Sequence, residues 1–327
     1  MQENLQTPWE KSRPLAPPLS AARTLRRTTK AVSGWLLVLP ALAILTLFTY
    51  GPALLVVAMS FYHWSLGGFQ DSQWVGALHY QELLNPISGF LESLSVTFYY
   101  VGIMVPMTIA LGLGIAWLFR GAAHKPTPWL TFTRAAVFLP YITPAIATSI
   151  IWVFIFNPQF GLANAALRFF HIPALGWLVS STWALPAVMI NNLWHNLGFT
   201  VVLFLAGLSN IPGEAVEAAW LDGAGGWQTF RYVVLPYLSP VTLMVVILTT
   251  IQAMQAFGSI YAMTGGQFGG GGGPLNSTTT TAIYLYKSAF IFFHYGYGAA
   301  VSVVLFALLL LMTIVQKQVG ERYTTYQ

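Results

Sequence analysis

Six stretches of this chain are apolar for long enough to cross a lipid bilayer, and a water-facing fold has no use for that pattern. They lie at about 34–61, 93–119, 135–156, 183–206, 237–262 and 297–317. About 20 residues of α-helix, rising 1.5 Å each, cover the ~30 Å hydrocarbon core. Charged residues are 7% of the chain and hydrophobic residues 56%. A soluble domain carries roughly 25% charge, so lipid rather than water must cover most of this surface. The sequence therefore predicts an all-α integral membrane protein with six transmembrane helices. Pro40 and Pro52 in the first span and Pro106 in the second predict kinks, tolerated where neighbours satisfy the freed carbonyls. Cysteine is absent, which excludes disulfides, thiol catalysis and thiolate metal sites.

The few charges set an orientation. Lys11, Arg13, Arg23, Arg26, Arg27 and Lys30 lie in a polar, proline-containing tail over 1–33 that reads as a disordered basic segment. The apolar stretch after it is too long for a signal peptide and has no small-residue cleavage site, so it is expected to remain as the first span. With the N-terminus inside, segments 1–33, 120–134, 207–236 and 318–327 are cytoplasmic. They also hold Arg120, Lys125, Arg134, Arg231, Lys317 and Arg322, which leaves only Arg168 and Lys287 outside. That bias is a strong positive-inside signal. The +5 net charge thus belongs to membrane orientation and points to no nucleic acid. Segment 62–92 is expected as an extracytoplasmic loop, and 318–327 as a cytoplasmic tail.

Between the fourth and fifth spans the chain turns polar. Ser209 and Asn210 suit a helix N-cap, Pro212, Glu214 and Glu217 suit a first turn, and Gly223 suits a left-handed stop. A second short helix, about 226–234, is expected to lead to Pro236. Small alanines allow close approach by another surface, and Glu217 and Asp222 offer charge to a basic partner. An amphipathic linker lying at the membrane interface fits these residues equally well.

Glu217-Ala218-Ala219, Asp222-Gly223-Ala224 and Val233-Val234-Leu235-Pro236 resemble the EAA loop of ATP-binding-cassette importer permeases, whose E-A-A-x-x-D-G-A pattern ends in a hydrophobic-x-L-P. The resemblance covers most of the chain and points to the sugar-uptake branch, the maltose and glycerol-3-phosphate type. Pro52–Trp64, Arg134–Pro144 and Ile151–Asn164 are similar to blocks of that group, and so is Val75–Tyr80, with His79 where the group has Asn. Thr264-Gly265-Gly266, Gly272-Gly273-Pro274 and Asn276-Ser277-Thr278 are similar to its T-G-G-G-P-x-N-x-T segment, here lengthened by Gln267, Phe268, Gly269, Gly270 and Gly271. The resemblance implies a type I ABC importer permease fold in the bacterial inner membrane, with both termini cytoplasmic. It implies a cytoplasmic coupling helix inserted into a separate ATPase dimer that binds ATP and magnesium. It also implies a second, different permease subunit and an extracytoplasmic solute-binding protein that delivers a sugar or polyol derivative. The coupling residues it assigns are Glu217, Ala218, Ala219, Asp222, Gly223, Ala224, Leu235 and Pro236.

The chain itself carries no phosphate loop. Its five lysines follow Glu, Thr, His, Tyr and Gln, so the Gly-Lys step of a Walker A motif does not occur. No cofactor is expected on this chain. Polar groups inside spans are costly and tend to face a cavity or a neighbouring helix. Asn191, Asn192, Trp194, His195 and Asn196 in the fourth span, with Gln252, Gln255 and Phe257 in the fifth, are the candidates for the solute pathway. Amides beside aromatic rings suit sugars, yet such groups also make interhelical hydrogen bonds worth about 0.6 kcal/mol on average. His195 has no second ligand at metal spacing. An ABC permease for a non-sugar solute is one alternative. A secondary carrier is another, and it would call for inverted repeats and buried charges, which are not evident.

Overall fold

The computed structural model describes residues 35–65, 68–120, 128–268 and 271–323, and the chain divides into two units, 1–55 and 56–327. The expected tail 1–33, part of the 120–134 segment and Gly269 and Gly270 of the glycine run lie outside the described residues. The first apolar helix is α1 (Trp35–Met59).

Among the described residues five helices are long and apolar enough to cross a membrane, and they number six if one bent pair is counted as a single span. After α1 come α3 (Phe90–Phe119), α7 (Ala184–Ser209), α10 (Ser239–Met254) continuing past a break as α11 (Gly258–Phe268), and α13 (Tyr295–Tyr323). The bent pair is α4 (Pro128–Ile142) and α5 (Ala145–Ile155).

The third span is thus not the single helix expected over 135–156, because its halves meet at 102°. The cause is local. Pro144 lacks an amide proton and disfavours helical backbone at Thr143 before it, and it sits extended at ψ 122°. The fifth span also breaks, with Gln255 closing α10 and the helix restarting at Gly258. The sixth runs beyond the expected 297–317, so the segment read as a tail from 318 is helical to Tyr323.

Segment 62–92 holds more than a loop. Strands β1 (Tyr62–Ser65) and β2 (Gly68–Trp74) form an antiparallel hairpin with Tyr62 opposite Trp74, followed by α2 (Leu78–Leu83). Aromatic residues favour paired strands, and here Trp74 packs on both Phe61 and Tyr62. The other short elements are α6 (Leu162–Phe169), α8 (Gly213–Leu221), α9 (Gly226–Thr229) and α12 (Thr281–Tyr286).

The centre of the second unit is the α3–α7 seam, where Tyr100, Met104, Leu185 and Met189 are buried together with Ala253 and Met254 of α10. Hydroxyls and amides fasten the periphery. Gln316 of α13 donates to Thr250 Oγ1 of α10 at 2.8 Å. Asn164 accepts from the Leu175 amide and the Trp177 indole, both at 3.0 Å, and so closes the loop between α6 and α7.

Helices α4 and α7 touch at Gly198, where a Cβ would overlap the carbonyl oxygen of Val137 and lie 2.8 Å from Phe138 Cα. Backbone on this side cannot yield as a flexible side chain would. Gly198→Ala is therefore expected to destabilise the fold by about 1–3 kcal/mol. It should be read as a lowered Tm of the purified protein in detergent. An unchanged Tm would mean that the two helices separate at no cost.

Candidate functional site

Two features of different character stand out, a solvent-facing loop and a cavity at midspan. The loop opens differently from expectation. Ser209 caps nothing, since its hydroxyl donates back to Leu205 O at 2.8 Å inside the last turn of α7, and Asn210 is that helix's C-cap. Helix α8 instead has Pro212 at its N-cap, without a side-chain hydrogen bond. Its end is as the residues require. Gly223 takes φ 80°, its amide donates to Trp220 O at 3.0 Å, and the Ala224 amide donates to Ala219 O at 2.9 Å. This pair of bonds satisfies the last carbonyls of the helix in a left-handed cap.

None of the residues of α8 is buried. Glu217, Ala218, Asp222 and Gly223 are exposed, with Ala219 and Ala224 half-buried. Neither carboxylate is ion-paired among the described residues. Beside them Leu221 is 89% exposed and Trp220 61%.

The second half of the loop is anchored. Helix α9 continues through a π-turn at Phe230–Val234 into a last turn at Leu235–Tyr237, so the expected second helix reaches past Leu235 and Pro236. Thr229, Val234 and Leu238 are buried. The edge of Phe230 meets Trp117 at the end of α3, with ring centroids 4.6 Å apart. The Arg120 guanidinium lies over the same indole, and partial burial lowers its pKa from the ordinary value.

The cavity measures about 190 Å³ and lies between α3, α7 and the α10–α11 break. Of the eight residues proposed from sequence, Asn192, His195, Asn196, Gln252 and Phe257 line it. Asn191, Trp194 and Gln255 do not. Asn191 turns away and donates to Ser149 Oγ at 2.9 Å and Met263 Sδ at 3.2 Å. Trp194 meets the edge of Trp152, and Gln255 closes α10.

Sequence reasoning missed Tyr100, Thr108, Thr249 and Ser259, which share the lining. The buried Thr108 hydroxyl has no partner among the described residues. The available signal was Tyr100, Met104 and Thr108 at i, i+4, i+8 on one helical face. Both helix breaks reach this cavity, through Ala145 after one and through Ala256, Phe257 and Gly258 at the other. His195 Nε2 lies 3.1 Å from the Thr143 carbonyl. A carbonyl only accepts, so this nitrogen carries the proton. His195 is therefore a brace for the bend, and no group of three potential ligands for a metal occurs among the described residues.

Residues 83–325 match the family described as "Binding-protein-dependent transport system inner membrane component". The sulfoquinovosyl glycerol transport system permease protein of Agrobacterium fabrum is 33% identical over 281 residues, 86% of this chain and 87% of that one. The trehalose/maltose transport system permease protein of Thermococcus litoralis is 31% identical over 292 residues, 89% of this chain and 95% of that one. Among solved structures, a chain of a bacterial alginate ABC transporter, crystallised with an alginate pentasaccharide-bound periplasmic protein, superposes with a TM-score of 0.76. It covers 93% of this chain and 99% of that chain at 18% identity, which shows a shared fold.

His195→Phe keeps a ring beside Tyr141 but removes the donor to Thr143, which should cost about 1–3 kcal/mol of stability. His195→Gln, which keeps a donor, should recover part of it. Equal Tm values for the two variants would show that the hydrogen bond does not hold the bend.

Proposed function

The chain belongs to the binding-protein-dependent transport system inner membrane component family and is a permease subunit of an ABC importer, and on that premise we propose that its solute is a sugar or polyol derivative. The carrying observation is the unburied helix α8, closed by the cap at Gly223 and anchored through α9 to the membrane helices. A docking helix needs both properties, since a free face receives the partner and a fixed root transmits the push. Glu217, Ala218, Ala219, Asp222, Gly223 and Ala224 form the face offered to a cytosolic ATPase dimer, and Leu235 and Pro236 belong to the root. ATP and magnesium bind that ATPase, and this chain supplies no hydrolytic site. The skew of Lys and Arg supports both termini and this loop on the cytoplasmic side of the inner membrane.

Asn192, His195, Asn196 and Gln252 around Phe257, with Tyr100 and Thr108, suit a hydroxylated solute with one apolar face. The sugar permeases among the relatives, and the periplasmic partner of the structural neighbour, support a solute handed over by a binding protein. A second permease subunit of different sequence would complete the pathway, and closure of the ATPase would switch it between inward- and outward-facing states.

Nothing lies within 4 Å of a Cβ built on Gly223, so Gly223→Asp meets no clash within the chain and costs about 1–2 kcal/mol for its left-handed backbone. Gly223→Asp and Glu217→Lys are expected to leave the chain in the membrane and abolish uptake. Tagged wild-type chain should bring an ATPase and a second permease out of native membranes, identified by mass spectrometry, and the variants should lose the ATPase. Recovery of the wild type with no nucleotide-binding protein would end this reading and favour a self-contained carrier.

Asn192→Ala removes a hydrogen bond worth about 1 kcal/mol. Uptake efficiency should fall roughly fivefold, measured as kcat/KM in proteoliposomes holding the full assembly. An unchanged value would remove Asn192 from the pathway.

A further inference from the structure

A second recess lies outward of the midspan cavity on the same two helices. It measures about 480 Å³ and is bounded by Ser95 and Tyr99 of α3, Ser181, Thr182 and Pro186 at the start of α7, and Ser277 from the 271–280 loop. On α3, Val96 of this recess begins a line that continues at four-residue steps through Tyr100 and Met104 to Thr108 of the cavity. On α7, Leu185 of the recess and Asn192 of the cavity are two helical turns apart, about 10 Å along the axis. Between the two spaces, Tyr100, Leu185 and Met189 pack as one apolar layer. The recess and the cavity are thus consecutive stations on one stripe, separated by a thin hydrophobic seal.

The lining chemistry of the recess is narrow. The recess is bounded by Ser95, Ser181, Thr182 and Ser277 and by the half-exposed Tyr99, with the Lys287 ammonium nearby on Asn276 Oδ1. Hydroxyls both donate and accept, which suits other hydroxyls. A tyrosine ring offers a flat apolar surface of the kind that covers one face of a pyranose. The Ser277 hydroxyl is buried without a hydrogen-bond partner among the described residues, an arrangement that is costly unless something completes it.

The backbone that places Ser277 is strained. Leu275 and Asn276 take φ 53° and 58°, a region that costs a residue with a Cβ about 1–2 kcal/mol. Neighbouring bonds hold it there. The Thr278 amide donates to Gly272 O at 2.9 Å, the Thr279 amide to Asn276 O at 2.8 Å, and Lys287 Nζ to Asn276 Oδ1 at 3.3 Å. Backbone strain maintained by its surroundings is found where a site must be held in shape.

We propose that this recess is an outer holding site for a polyhydroxylated solute, occupied before the solute passes the Tyr100–Leu185–Met189 layer into the midspan cavity. The proposal rests on the permease reading and adds to it a second station on the route.

The chain contains no cysteine, so single-cysteine reporters need no prior removal. Ser277→Cys and the exposed Thr182→Cys would be placed in the full assembly in right-side-out vesicles and labelled with a membrane-impermeant maleimide. The competitors are lactose, maltose and trehalose, and Asn192→Cys reports on the midspan cavity. A disaccharide at ten times its Kd should slow labelling at 277 and 182 by about tenfold. Protection at Asn192→Cys alone would overturn the outer site and leave the permease reading intact. Protection at none of the three would remove the carbohydrate reading and the outer site together. If neither outer cysteine ever labels, another subunit covers the recess and no solute is held there.

Discussion

Backbone in lipid must satisfy its own hydrogen bonds, and the arrangement of this chain follows from how it meets that demand. A continuous helix does so automatically. Each place where a span is interrupted therefore needs a substitute donor or acceptor, or contact with a polar space. The bend between α4 and α5 has His195 bonded to the Thr143 carbonyl, and the break between α10 and α11 has Thr280 bonded to the Ala256 carbonyl at 3.0 Å. Both interruptions border the same cavity. The cavity and the broken spans are thus one structural fact, for the polar groups that line the cavity also allow the helices beside it to break.

The loop answers a different demand. Outside the bilayer, water satisfies the backbone, so α8 can stand free with its face uncovered. What it cannot do without support is transmit force. That support comes from the buried Thr229, Val234 and Leu238 and from the Phe230–Trp117 contact. An exposed Leu221 and Trp220 on an otherwise unpacked helix are costly in water. Their position beside Glu217 and Asp222 fits a face completed by another protein.

The sequence made much of this legible, and its failures are informative. Hydropathy located the five long apolar helices and the bent pair, because segment length against bilayer thickness is a coarse and robust quantity. It did not locate the 102° bend, since Thr143-Pro144 inside an apolar run reads equally as a mild kink. Amides were recognisable as pathway candidates, but facing direction was not, because Asn191 and Asn192 are adjacent residues whose side chains point to different neighbours. Asn191 met Ser149 and Met263 instead of the cavity. Threonine and tyrosine hydroxyls escaped notice because such residues commonly bond their own helix, as Thr97 does to Ser93 O. The proposed caps Ser209 and Asn210 failed because α7 runs to Ser209 and takes Asn210 as its C-cap, and propensity yields to packing at such junctions.

The order of elements along the chain links the loop to the cavity. Helix α7 carries Asn192, His195 and Asn196 and ends at Ser209, immediately before α8. Helix α10 begins at Ser239, immediately after α9, and carries Gln252. The α8–α9 loop is therefore spliced between the two helices that bear most of the cavity's amides, about 20 Å from them along each axis. Helices of this length behave as stiff rods against a lateral push, so a displacement of α8 and α9 would be felt at both walls of the cavity. The bend at Thr143 and the break at Gln255 are then the compliant points at which the spans can rearrange around a solute. On that reading the chain needs no separate relay of side chains between partner and pathway, because its covalent order already joins them.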